Sequence, residues 1–122
     1  RFQSGTPNVP SLYSARAGYE IVREIGVPAI RKKSLRLTRL MMDLARAAGF
    51  RINTPDKDAE RGGAVIIDVP NGKAVADELI RREVIVDYRP GAGIRMAPHF
   101  YNTAAEIEHA MEVLTSICRS GR

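Results

Sequence analysis

Apolar residues return at helical spacing twice within the first fifty positions. Over 11–25, Leu12, Ala15, Tyr19, Val22 and Ile25 recur three or four residues apart, which predicts an amphipathic helix that buries this stripe. The residues before it, Gly5-Thr6-Pro7-Asn8, are loop chemistry, and Gly26 suits the stop after it. Pro28 fits the first turn of a second helix. In that helix Ile30, Leu37, Leu40, Met41, Leu44 and Ala48 lie near one face, and Gly49 ends it.

The period then switches. Residues 50–53 alternate like a short strand, and the polar, turn-rich stretch 57–63 follows. The run Ala64-Val65-Ile66-Ile67-Asp68-Val69 is β-branched and nearly continuous, as a well-buried strand requires. Pro70-Asn71-Gly72 is a turn into a short helix over 73–82, with Val75, Ala76, Leu79 and Ile80 facing inward. Residues 84–86 predict another strand, 89–93 a flexible loop and 94–97 a returning strand. Thr103-Ala104-Ala105-Glu106 has the capping-box form, so it opens a last helix with Ile107, Ala110, Met111, Leu114 and Ile117 on one stripe. The expected fold is α+β, a small, mostly antiparallel sheet covered by helices, in the order α-α-β-β-α-β-β-α. Neither side of the turn-rich stretch is large enough to fold alone, so residues 1–122 are read as a single domain.

Composition narrows the classes. With 44% hydrophobic and 27% charged residues, the chain is neither disordered nor collagen-like. No apolar run approaches the ~20 residues of a membrane span. A single cysteine, Cys118, excludes an internal disulfide framework and a cysteine-rich zinc site. His99 and His109 lack the spacing of a helical metal pair. The net charge of +5 raises nucleic acid as a partner. The arginines, however, are interleaved with acids, as in Arg23-Glu24 and Arg81-Arg82-Glu83, which reads as a paired or solvated face. The densest cluster, Arg31-Lys32-Lys33, is weak support for a partner. The chain opens on Arg1 inside a loop, which is expected of a piece of a longer protein.

Two segments carry candidate chemistry. Gly5, Thr6 and Asn8 precede a helix N-terminus, where backbone amides and a hydroxyl form an anion cradle. The same residues also make an ordinary N-cap loop, with Asn8 or Ser11 as the cap. Arg95 stands between Ile94 and Met96 in a strand, a costly place for a permanent charge without an anionic partner. That partner is either a bound carboxylate or phosphate, or an acid of this chain such as Asp87.

The opening RFQSGTPN, together with Arg95 followed by PHFYNT and a final amphipathic helix, resembles the C-terminal part of class V aminotransferase-like enzymes. These are pyridoxal-phosphate proteins of fold type I, among them kynureninases and cysteine desulfurases. The resemblance covers essentially the whole chain. It implies that Gly5 and Thr6 reach the cofactor phosphate of a neighbouring subunit in a homodimer, and that Arg95 holds the α-carboxylate of an amino-acid substrate. Tyr101-Asn102-Thr103 matches the family's turn into its last helix, and His99 lies near the implied pocket without an assigned role. Cysteine desulfurases carry a catalytic cysteine before the arginine, and residues 87–94 contain none. Val86-Asp87-Tyr88-Arg89-Pro90 with Arg95 close behind is most similar to kynureninases, which hydrolyse kynurenine to anthranilate and alanine.

The resemblance also implies a large pyridoxal-phosphate domain upstream and a cytoplasmic enzyme. The family's Schiff-base lysine precedes the GTPN segment, and Lys32, Lys33, Lys57 and Lys73 all lack its context. The chain alone is therefore expected to be inactive. Another class V aminotransferase or lyase is the alternative reading. A stand-alone basic binding module and a purely structural oligomerisation unit are the others.

Overall fold

A computed structural model describes Gly5 and residues 8–120. Asn8 caps the first helix, α1 (Val9–Ile25), by accepting a hydrogen bond from the Ser11 amide at 3.3 Å, with Pro10 in the first turn. Gly26 stops it with φ of 84°, a conformation that favours glycine, and α2 (Val27–Ala47) starts at once. At the far end of α2, Gly49 has φ of 80°. The Phe50 and Gly49 amides reach back to the Ala45 and Arg46 carbonyls at 2.9 Å each, closing a Schellman motif.

Strand β1 (Arg51–Ile52), a 3-10 turn (Asp58–Glu60), β2 (Val65–Asp68), α3 (Gly72–Arg81), β3 (Asp87–Arg89), β4 (Gly93–Met96) and α4 (Ala104–Ser120) complete the chain. The element order is the one expected. All three strand pairings are antiparallel, in the spatial order β1-β2-β4-β3. Register puts Val65 opposite Met96 and Ile67 opposite Ile94, and these four are buried. They form the core with Leu37, Met41, Met42 and Ala45 of α2, Leu79 of α3, and Ile107, Met111 and Leu114 of α4. The alternate residues Ile66, Arg95 and Asp87 line up across the opposite face, on which no helix packs among the described residues.

Four sequence expectations are corrected. The α1 stripe is not buried: Leu12, Tyr19 and Ile25 are exposed, Tyr19 to 74%. Among the described residues this helix packs chiefly on α2, and the hydrophobic period marks which side is apolar without saying what covers it. Ile80, expected inward on α3, is also exposed.

The third correction concerns the strand expected at 84–86, which forms instead at Asp87–Arg89. Glu83 takes φ of 64° at the end of α3, and the Val84 amide returns to the Leu79 carbonyl at 2.9 Å, so 84–86 carry the chain away from the helix. The expected flexible loop is a tight hairpin turn. Pro90 and Gly91 occupy its centre, Gly91 has φ of 75°, and the Ala92 amide donates to the Arg89 carbonyl at 3.0 Å, as a type II turn requires. The Asn53 side chain pins this turn by donating to the Ala92 carbonyl at 2.6 Å.

Candidate functional site

Arg95 sits on the inner strand β4, on the face without helices. Its neighbours Ile94 and Met96 point the other way into the core, so strand alternation delivers the guanidinium outward. The side chain is 43% exposed, and the cost expected of a buried charge does not arise. Directly across the register stands Asp87. Arg95 Nε donates to Asp87 Oδ1 at 3.0 Å and Nη2 to Oδ2 at 2.7 Å, a bidentate pair. Arg89 Nη2 reaches the same Oδ2 at 2.7 Å. Of the two partners weighed from sequence, the chain's own aspartate is therefore present, as a half-exposed cross-strand pair and not a buried one. Partial burial pushes the Asp87 carboxyl up, but hydrogen bonds and charge from Arg95 and Arg89 outweigh it and hold it below 3.8.

Gly93 makes this geometry feasible. It has φ of 126°, and a Cβ there would stand 2.5 Å from the Ile67 carbonyl oxygen, so only glycine lets β4 lie against β2 at this point.

Asp87 and Arg95 border a cleft of about 840 Å³ between residues 83–87, the end of β4 and the start of α4. His99 and Tyr101 form its far lip, stacked with ring centroids 5.1 Å apart. Asn102 closes the turn beneath them by accepting from the His99 amide at 2.9 Å and donating its own amide to the His99 carbonyl at 3.0 Å. The capping box then forms as expected: the Glu106 amide donates to Thr103 Oγ1 at 3.2 Å, and the Thr103 amide donates to Glu106 at 2.6 Å. That backbone hydrogen bond is the main reason the Glu106 carboxyl is held low. Tyr101-Asn102-Thr103 thus sets the entry to α4, and His109 lines the same cleft from the helix.

The N-terminal loop is some way along the chain from this cleft. Gly5 has φ of 88°, and open space lies where a Cβ would stand. Asn8 is engaged as the α1 cap. Thr6 lies outside the described residues.

Arg31, the first residue of the basic cluster at 31–33, has a structural role that sequence alone did not reveal. Arg31 donates to the carbonyls of Asp58 at 2.6 Å and Arg61 at 2.9 Å. Arg39 binds Asp56 and Asp58, and Arg46 binds Asp56 at 2.7 Å, so α2 grips the 56–62 segment. Arg61 is the residue missed entirely: its side chain is 1% exposed, lies against Asp58, and donates to the Asp56 carbonyl at 2.6 Å. Of the paired or solvated face that interleaving suggests, these arginines follow the paired half. Among the described residues, no group of three or more His, Cys, Asp or Glu side chains is placed to hold a metal ion. No helix among them is long and apolar enough to cross a membrane.

A family model described as the kynureninase C-terminal domain matches residues 30–114. The kynureninase of Bacillus mycoides strain KBAB4 is 33% identical over 98% of this chain and 29% of its own length. That of Shouchella clausii is 36% identical over 99% of the chain and 29% of its own length. The chain therefore spans under a third of these curated relatives. Among solved structures, an apo cysteine desulfurase from Thermococcus onnurineus NA1 superposes with a TM-score of 0.87 at 21% identity, covering 98% of this chain and 34% of that one. A NifS-like protein superposes with a TM-score of 0.79 at 23% identity, covering 96% and 35%. At these identities the likeness shows the fold.

Proposed function

The chain belongs to the kynureninase C-terminal domain family, and from that membership we propose that it serves as the C-terminal domain of a larger enzyme that hydrolyses L-kynurenine to anthranilate and alanine. The observation that carries this reading is Arg95, a guanidinium presented on the open face of β4 at the border of the cleft. Its role is to hold the substrate α-carboxylate, for which a planar fork of donors is the matching partner.

The proposed cofactor is pyridoxal phosphate, which supplies an electron sink for cleavage beside the amino-acid α-carbon. Residues of this chain suit its phosphate end. Gly5 is an exposed residue in a positive-φ conformation ahead of an Asn8-capped helix, a backbone setting that suits an anion. Thr6 would add its hydroxyl. The ring end belongs elsewhere on this reading: Lys73 is paired with Asp77 at 2.6 Å on α3, and Lys57 with Glu60 at 3.1 Å. Residues 1–122 then act as one domain beside a large cofactor-binding domain in a cytoplasmic homodimer, and are inactive alone. The uncovered apolar side of α1, with Leu12, Tyr13 and Tyr19 exposed, supports contact with the rest of such an enzyme.

The test is product identification. Full-length protein incubated with L-kynurenine and pyridoxal phosphate is expected to release anthranilate and alanine in equal amounts. Release of neither, or transfer of the amino group to a keto acid in their place, would reject the kynurenine reading.

A further inference from the structure

An arginine has two edges on which it binds a carboxylate side-on or end-on. The Nε and Nη2 edge of Arg95 is taken by Asp87, at 3.0 and 2.7 Å. Among the described residues Nη1 has no partner, so the end-on Nη1/Nη2 edge keeps its donors. A guanidinium is planar and rigid, and fixing one edge fixes the direction of the other. Asp87 itself is anchored twice. It is the register partner of Arg95 on β3, and Arg89 holds the same Oδ2 from two residues along the strand. One carboxylate against two guanidiniums leaves the group one positive charge in excess, which still attracts an anion.

We propose that Asp87 is a positioning residue: it orients Arg95 so that the Nη1/Nη2 edge is presented to the substrate carboxylate. This rests on the reading of Arg95 given above. The opposite role would be competition, with Asp87 standing where the substrate carboxylate must bind. The geometry favours positioning, because the side-on edge is used and the end-on edge is left. Removing Asp87 frees the guanidinium to rotate about its long, flexible stem, and each bound substrate must then restrict that motion.

The experiment measures kcat and KM of the full-length enzyme for its amino-acid substrate, together with the inhibition constant of the decarboxylated amine analogue, in wild type, Asp87→Asn and Arg95→Ala. Positioning predicts that Asp87→Asn raises KM about tenfold, a modest share of the charged-hydrogen-bond range. It also predicts a kcat within about twofold of wild type and an unchanged constant for the analogue, which has no carboxylate to orient. A fall in KM, an unchanged KM, or equal weakening of substrate and analogue would overturn it. Arg95→Ala separates the two readings. If it leaves KM unchanged, the carboxylate role of Arg95 fails; if it raises KM while Asp87→Asn does not, only the positioning role fails. Asp87→Ser provides the same readout should the amide variant not fold.

Discussion

At residue scale, among the described glycines, Gly93 is the one a Cβ would bring closest to another residue's backbone. A methyl group there would meet the Ile67 carbonyl at 2.5 Å in a backbone conformation that L side chains resist. Gly93→Ala is expected to loosen the β2–β4 pairing that carries Arg95. Amide hydrogen exchange of Ile94, Met96 and Val65 should accelerate together, whereas Gly62→Ala, with open space around it, should leave them protected. Thr103→Ala removes the hydroxyl half of the α4 capping box, and a loss of about 0.5–2 kcal/mol in urea unfolding is the expected result. The cap was readable in the sequence because it is local, four residues defining the capping box. The exposure of Arg95 was not: its apolar neighbours Ile94 and Met96 suggested a buried charge, whereas strand alternation turns it outward. The partner of Arg95 was not decided there, since register between β3 and β4 is set by a hairpin whose first strand sits three residues later than β-branching suggests.

At the scale of elements, α2 does two jobs. One side supplies Leu37, Met41, Met42 and Ala45 to the core, and truncating Met42 to alanine is expected to cost about 2–5 kcal/mol. Tyr19→Ser on the exposed side of α1 should change the stability of the isolated chain by less than about 0.5 kcal/mol in the same urea titration.

The other side of α2 grips the 56–62 segment through arginines. Arg46 holds the Asp56 carboxyl below its ordinary value of 3.8, and Arg39 does the same for Asp58. Carboxyls depressed in the fold bind fewer protons there than in the unfolded chain, so their stabilisation is complete above about pH 5 and is lost as pH falls below 4. The melting temperature should be flat between pH 5 and 7 on this account and decline under acid. In Asp56→Asn the acid decline should be shallower. These carboxylate contacts span up to 19 residues of sequence, and charge interleaving alone does not reveal which acid an arginine will meet.

For the whole molecule, the order of elements was legible because the hydrophobic period changes cleanly from helix to strand and back. The exposed stripe on α1 and the charged, uncovered face of the sheet were not, because pattern reports polarity and not what is packed against it. Both features fit a domain that shares its surfaces with a larger protein, consistent with a chain covering 29% of its kynureninase relatives. If Arg95 binds the α-carboxylate of kynurenine as proposed, the steady-state KM of Arg95→Ala for L-kynurenine reads that contact. Loss of a charge-assisted pair worth about 1.5–3 kcal/mol predicts a KM about 10- to 150-fold above wild type. A KM within twofold of wild type would contradict it.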